Sequence, residues 1–165
     1  MSTPTNRITR SNGEERSVFP DALNVIDSSV TFNQGDLLCL LSNKLAKASL
    51  EADYASFLGI APVTVVSGKL QSPYQGTAVD AAQAITAIPG PKYSVEAKMI
   101  SKTGDAWAPG GAVYGDPADG PEYVSSAGTK QIGVYQGATI ASAAAGQTVE
   151  VLLGHRYPGD ALQGV

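Results

Sequence analysis

The sequence predicts a mainly β protein: a single compact β-barrel or β-sandwich built from two related β-units, with an extended N-terminal arm and few short helical turns. One observation is the abundance of turn formers, because 18 Gly and 10 Pro among 165 residues argue against long helices. The second is that two stretches of the chain read as the same unit written twice. Internal similarity of this kind indicates a repeated structural element.

Both copies begin with a glycine before an apolar strand, continue through a turn and a second short strand, and close with a strand in which a glycine stands between apolar residues. Gly35 aligns with Gly111 in this comparison, and Gly59 aligns with Gly133. A fourth strand is expected to follow each copy in an equivalent place, at the pairs Val95-Glu96 and Val149-Glu150.

The predicted organisation is a flexible N-terminal arm over residues 1–20, a β domain over 21–157 with an inserted loop at 67–91, and a C-terminal tail over 158–165. The arm has few apolar side chains and no period, so it cannot bury enough surface to offset the entropy of ordering. It is disordered alone, or it orders on a partner. In the second case Arg7, Arg10 and Arg16 supply charge, and Ile8, Val18 and Phe19 supply apolar anchors.

Within the domain, a strand with a turn or bulge near residues 27–29 is expected to lead up to Phe32. The run Leu37–Leu41 is apolar on both faces, which predicts a strand buried between layers. A short hairpin loop follows at residues 42–44, and a helical turn is expected within residues 46–56. Residues 57–66 are strand-like, with an interruption at Pro62.

The inserted stretch from Leu70 to Pro91 is expected to be a loop with one helical turn in its alanine-rich part, residues 77–85. After it, residues 93–100 alternate apolar with polar side chains, which is typical of a half-buried strand. Beyond the second unit, residues 137–141 are expected to form another strand. Residues 148–153 are expected to form the closing one.

Composition argues against several partners and compartments. A net charge of −4 and a pI near 4.8 leave no basic footprint for nucleic acid. An apolar run of eighteen residues is absent from the sequence, so no membrane contact is expected, and the protein is predicted to be made in a cytoplasm. The single cysteine, Cys39, lies in an apolar strand and is interpreted as a buried structural thiol.

Catalytic and metal-binding patterns are equally unpromising. His155 is the only histidine and has neither zinc-ligand spacing nor a nucleophile in a recognisable setting. Asp105, Asp116, Asp119 and Glu122 could offer oxygen ligands to a hard cation, but they lack the spacing of a calcium loop and fit a solvated acidic turn. We therefore predict no enzyme, no catalytic residue, no metal and no cofactor.

Two aromatic residues complete the candidate contacts. Trp107 lies in a Gly- and Pro-rich loop and is interpreted either as a plug at the end of the barrel or as an interface anchor. Tyr74 lies in the inserted loop. Candidate partner-binding residues thus lie in the arm, the inserted loop and the Trp107 turn.

The order of these elements resembles that of the small β-rich head decoration proteins, or capsid cement proteins, of tailed bacteriophages. The resemblance covers about residues 30–153 and rests on glycine-apolar segments: Gln34-Gly35-Asp36-Leu37-Leu38, Phe57-Leu58-Gly59-Ile60-Ala61, Gln131-Ile132-Gly133-Val134-Tyr135 and residues 144–151. The arm, the insertion and the tail lie outside it.

The resemblance implies a structural virion protein on the outer capsid surface, often a homotrimer, that bridges neighbouring major capsid protein subunits. It implies no catalytic residue. The alternative from the residues is a carbohydrate- or cell-surface-binding β module, suggested by Trp107 with Tyr93, Tyr114, Tyr123 and Tyr135 near turns. A small hydrolase with carboxylates in an unrecognised arrangement is a third, weaker hypothesis.

Overall fold

A computed structural model describes residues 4–11, 16–18, 31–42, 44–61, 64–67, 69–71, 78–80, 85–87 and 95–153. Its strands are β1 Arg7–Ser11, β2 Arg16–Val18, β3 Leu37–Leu41, β4 Lys44–Lys47, β5 Phe57–Ile60, β6 Val65–Val66, β7 Lys69–Gln71, β8 Ala78–Asp80, β9 Ile85–Ala87, β10 Val95–Ser101, β11 Ala112–Gly115, β12 Tyr123–Ser125, β13 Gln131–Tyr135 and β14 Thr148–Leu153. A 3-10 helix, Glu51–Ser56, stands between β4 and β5. The chain is mainly β, as the sequence predicts.

The C-terminal half of the chain closes on itself as a barrel. Strands β10, β14, β13, β11 and β12 pair in that order, and β12 returns to pair with β10 in parallel through Ile100 and Ser101. Closure leaves these strands few open edges, and an open edge is the usual weakness of a small sheet. The half-buried strand predicted near residues 93–100 is β10, with Ala97 and Met99 buried and Glu96 and Lys98 half-exposed.

The first unit forms a smaller sheet in the order β4-β3-β5. Leu37, Leu38 and Cys39 are buried, as predicted for a strand between layers. Further short pairings join β6 to β7, β7 to β8, and β2 to β9. The predicted helical turn is present as the 3-10 helix, although Ala46 and Lys47 belong to β4.

The two units have the same topology. In each, the first strand is central and pairs with the second and third strands, giving β4-β3-β5 and β12-β11-β13. The register shift between first and third strands also falls at the same place, after Leu38 in one unit and after Val113 in the other. Leu38 pairs with Gly59, and Val113 pairs with Gly133.

The duplication extends to individual backbone hydrogen bonds around the first turn. The first unit has Phe32 N to Val65 O, Val65 N to Phe32 O, Asp36 N to Asn33 O, Gly35 N to Ala61 O and Ala61 N to Asp36 O. The second unit repeats them as Trp107 N to Ile140 O, Ile140 N to Trp107 O, Gly111 N to Ala108 O, Gly110 N to Tyr135 O and Tyr135 N to Gly111 O. Two different sequences thus form the same local backbone arrangement.

This equivalence corrects the sequence alignment by one position, since Gly35 matches Gly110 and not Gly111. Both turn glycines have positive φ, 93° at Gly35 and 81° at Gly110. Such a backbone favours glycine because it has no Cβ.

The predicted fourth strand does not have equivalent places in the two units. β10 and β14, which contain Val95-Glu96 and Val149-Glu150, pair with each other in antiparallel fashion. β14 also pairs with β13 of the second unit, whereas β5 of the first unit has no ladder to β10 within the described residues.

One hydrophobic core serves both units. The first unit contributes Leu37, Cys39, Tyr54 and Ile60, and the barrel contributes residues such as Met99. A direct backbone hydrogen bond also crosses between them, from Leu37 N to Pro121 O at 2.8 Å. The units therefore pack as halves of one compact fold.

The predicted N-terminal arm requires correction. Residues 7–11 form β1 on the half of β10 that β12 leaves open, and residues 16–18 form β2. The physical reason is an available sheet edge, to which few apolar side chains are needed because backbone hydrogen bonds supply the contact. The predicted domain boundaries near 20 and 157, the strand before Phe32 and the tail at 158–165 lie outside the described residues.

Two further local predictions are wrong. The alanine-rich part of the insertion is not helical where it is described: Ala78–Asp80 is β8, paired with β7, since so short a helix gains few hydrogen bonds. Residues 137–141 form no strand beyond the bridge at Ile140. The Tyr135 hydroxyl donates to Ala138 O at 2.5 Å and holds a bend there instead.

Within the part of the chain that is described, the helical content includes nothing long and apolar enough to cross a bilayer.

Candidate binding cleft

A cleft of about 450 Å³ opens where the first unit meets the barrel. Residues 49–51, at the start of the 3-10 helix, form one wall. The opposite wall comes from the barrel, and its lining includes Lys102, Asp105, Asp116, Ala118 and Ala127. Because the walls belong to different units, the cleft exists only in the assembled fold.

The first wall presents an exposed apolar side chain. Leu50 is 65% exposed and stands at the N-cap of the 3-10 helix. The Asp53 carboxylate accepts the backbone N–H groups of Ser49 and Leu50, both at 2.9 Å, which fixes the backbone at this point. Burial opposes ionisation of Asp53, but these hydrogen bonds outweigh it and lower the pKa of Asp53 below its ordinary value.

Two carboxylates hold the loop that joins β12 to β13. Asp105 accepts the Ser126 N–H at 2.6 Å, and Glu51 accepts the Thr129 N–H. Glu51 thereby ties the first unit to the barrel. Both side chains are half-buried, and neither forms an ion pair with a cation among the described residues.

The acidic turn after β11 is neutralised by a lysine that precedes it in the sequence. Lys102 Nζ lies 2.7 Å from Asp116 and 3.4 Å from Asp119. The hydrogen bond to Asp116 is the main reason that the pKa of Lys102 is raised. Asp116 is buried and also accepts the Ala118 N–H at 3.2 Å.

The turn chemistry predicted for this segment is therefore present, although Asp116 is not solvated. The cation-binding alternative gains no support, because the described residues contain no group of three or more His, Cys, Asp or Glu side chains suited to hold a metal.

Cys39 lies in the hydrophobic core and does not line the cleft. Burial, with a smaller contribution from Asp53, raises the pKa of its thiol to about 12. A thiol with so high a pKa is protonated at neutral pH and is a poor nucleophile. The geometry agrees with a packing role.

Of the two alternatives for Trp107, a plug at the end of the barrel or an interface anchor, its burial fits the plug better. The side chain is 2% exposed, and its Nε1 donates to Ser101 Oγ at 2.8 Å. The ring packs against Tyr135 with centroids 5.3 Å apart. An interface anchor needs an exposed ring, so Trp107 acts as the counterpart of Phe32 in the second unit.

The remaining predicted contact residues are not brought together at the cleft. Arg7 is exposed on β1 and does not line the cleft. Ile8, Arg10 and Arg16 lie in β1 and β2, where only the backbone is described. Phe19 and Tyr74 lie outside the described residues.

Sequence reasoning did not identify the cleft. The available signal was Leu50 directly before an acidic helical turn, where a polar cap is the usual residue. The sequence predicts Asp105 and Asp116 only as members of an acidic stretch.

No protein-family model matches this chain, and neither a curated protein nor a solved structure matches it.

Proposed function

We propose that this chain is a non-enzymatic structural protein that binds the outer surface of a tailed-phage capsid and stabilises it by bridging major capsid protein subunits. The observation that supports this best is the placement of the residues on which the resemblance rests. Those around Gly35 and Gly59 and around Gly133 build the repeated turn and closing strand of the two units. The proposal is thus supported by segments that together form the repeated β-unit, and not by single residues.

The architecture suits a clamp on a large surface. A closed barrel with a second unit on the same core is a rigid body, and rigid bodies lose little entropy on docking. The expected homotrimer would present several such bodies at once, so individually weak contacts would add through multivalency. Among the described strands β1 lies at the edge of its sheet, with Arg7 exposed, and a partner strand could extend the sheet there.

The glycan-binding alternative is less well supported. It needs aromatic rings clustered on an exposed face, but Trp107 and Tyr135 are buried. Tyr114 and Tyr123 are half-buried. The hydrolase alternative needs a deep pocket lined by acids, whereas the acids of this open cleft have structural partners: Asp116 is paired with Lys102, and Asp105 and Glu51 each hold a backbone N–H of the loop after β12.

The test is binding to decoration-free heads of a panel of tailed phages, followed by sedimentation and electron microscopy. We expect saturable, symmetric occupancy of the outer surface of at least one head type, and light scattering of the free protein reports whether it is a trimer. Absence of binding across the panel contradicts the proposal.

The contribution of the N-terminal strand is tested by Arg7→Glu, and not by deleting the arm. A deletion would also remove Asn6, which is buried and bonded to the rest of the fold. We expect Arg7→Glu to reduce head occupancy while thermal stability stays unchanged. Equal occupancy would remove Arg7 from the mechanism.

A further inference from the structure

Leu50 breaks two local rules of protein sequence at once. It exposes 65% of a large apolar side chain, the largest such fraction among the large hydrophobic residues described. It also occupies the N-cap of the 3-10 helix, where Ser, Thr, Asp or Asn would satisfy a backbone N–H and Leu provides no acceptor. Residues that violate local rules without a structural gain concentrate at functional sites.

The side chain is presented by a rigid segment. Asp53 accepts the Leu50 N–H, and its own N–H donates back to Leu50 O at 3.0 Å. Tyr54, which directly follows Asp53, anchors the helix in the core. A preorganised apolar group of this kind costs little conformational entropy when it is covered.

The charge around Leu50 is unbalanced. The cleft is lined by Glu51, Asp105 and Asp116, and its only described cation is Lys102. Lys102 is already engaged by Asp116 and by Asp119 at the rim. Glu51 and Asp105 each use one oxygen to accept a backbone N–H, which leaves acceptor capacity on both carboxylates.

We propose that this cleft binds a Lys or Arg side chain, with a neighbouring apolar residue, from an extended segment of the capsid subunit. The cationic head would pair with Glu51 and Asp105, and its aliphatic stem and the apolar neighbour would cover Leu50 and Ala118. Long basic side chains combine an apolar stem with a charged head, which is the combination that this cleft complements. The assignment of the segment to a capsid subunit rests on the proposed function. The chemistry of the segment, a basic residue beside an apolar one, does not.

The chemistry is tested without any capsid. An acetylated, amidated Leu-Arg-Leu peptide is titrated into the isotopically labelled chain, with Leu-citrulline-Leu as the neutral isostere. We expect amide shifts at Leu50, Glu51 and Asp105 with the arginine peptide. We also expect affinity about three- to tenfold weaker with citrulline, which is the range for loss of one or two exposed ion pairs, and weaker binding at higher salt.

The variants Leu50→Ser and Glu51→Gln with Asp105→Asn remove the apolar and the charged halves of the site separately. The amides retain an oxygen acceptor for the Ser126 and Thr129 N–H groups, so we expect these variants to fold, which their circular dichroism checks. Val66→Ser and Glu150→Gln are the matched controls, since Val66 is 43% exposed and Glu150 is exposed, and neither lines the cleft. We expect weaker peptide binding and lower head occupancy in the cleft variants alone.

The outcomes separate the two proposals. Equal shifts with arginine and citrulline peptides, shifts elsewhere on the protein, or cleft variants that bind like the controls would overturn the cleft assignment even if the chain decorates heads. Peptide binding at the cleft by a chain that binds no head would retain the site and contradict the capsid function. If the free wild-type protein self-associates and Leu50→Ser abolishes that association, the occupant of the cleft is a second copy of this chain. That result would overturn the proposal that a capsid segment binds there.

Discussion

The ring of Tyr54 lies directly against Gly115, so that a Cβ built at Gly115 would stand 2.2 Å from Cζ of the tyrosine. Tyr54 comes from the 3-10 helix of the first unit, and Gly115 ends β11 of the second. The ring is 1% exposed, so it has no open space into which it could retreat. The missing side chain at position 115 is therefore what allows the two units to share a core.

Gly115→Ala is expected to destabilise the fold by about 1–3 kcal/mol, the usual cost of overpacking a core. Urea unfolding followed by tyrosine fluorescence and circular dichroism measures the change. Adding Tyr54→Leu to Gly115→Ala makes room for the new methyl, so the double variant should lose less than the sum of the single losses. If the losses of the two single variants simply add in the double variant, the contact between Tyr54 and position 115 is contradicted.

Tyr54→Phe is expected to leave stability unchanged or to raise it by up to about 1 kcal/mol. The buried hydroxyl has no hydrogen-bond partner among the described residues, and an unpaired buried polar group is costly. Tyr135→Phe is the matched control, because that hydroxyl donates to Ala138 O at 2.5 Å. The control should lose about 1 kcal/mol in urea unfolding. Equal losses in the two variants would show that the Tyr54 hydroxyl has a partner.

The repeat was predictable from sequence because turn glycines and apolar strands leave a strong pattern. Its register was not, since Gly110 and Gly111 are adjacent and the letters do not show which has positive φ. The strand prediction for residues 137–141 failed for a related reason. Side-chain bonding of Tyr135 to the backbone overrides local propensity there.

The cleft could not be read from the sequence because its walls are far apart along the chain. Leu50 and Asp105 meet only after the units pack, and Lys102 pairs with Asp119 across a turn. Asn6 was missed for a different reason. A polar residue in a segment with few apolar side chains is predicted to be disordered, and the partners of Asn6 lie in elements that are distant in the sequence.

Asp36→Asn is expected to stabilise the protein at neutral pH. Burial is the main cause that raises the pKa of Asp36 above its ordinary value of 3.8. The folded state therefore binds a proton more tightly than the unfolded chain. The resulting penalty appears as pH rises from 3.8 to the folded-state pKa and is complete above it. The amide oxygen can still accept the Asn33 N–H that Asp36 accepts at 2.8 Å.

The measurement is urea unfolding of wild type and Asp36→Asn at several pH values between 4 and 8. The difference in unfolding free energy should grow in favour of the variant as pH rises and then become constant. Glu150→Gln, at an exposed carboxylate whose distance to Lys98 Nζ is 4.0 Å, serves as control for general charge removal. A difference that shrinks with rising pH would mean that the carboxylate is stabilised in the fold.

Asn6 joins elements that come from three regions of the chain. Its Nδ2 donates to Gly35 O at 2.8 Å and to Glu122 O at 2.6 Å, and its Oδ1 accepts the Ile100 N–H at 2.6 Å. The side chain is buried, so water cannot replace these bonds. The N-terminal segment is thus fixed to both units immediately before β1 begins.

Asn6→Ala is expected to cost about 3 kcal/mol, because it removes the partner of the buried backbone groups of Gly35 and Ile100 and of the half-buried Glu122 O. Exchange of the Ile100 amide hydrogen should accelerate more than global unfolding explains, since β1 opens locally. Asn6→Asp keeps the acceptor but loses both donors and buries a charge, so it should be at least as destabilising. Arg7→Ala alters the same strand at an exposed position and should change neither measurement. Unchanged Ile100 exchange in Asn6→Ala would show that β1 stays in place without the asparagine.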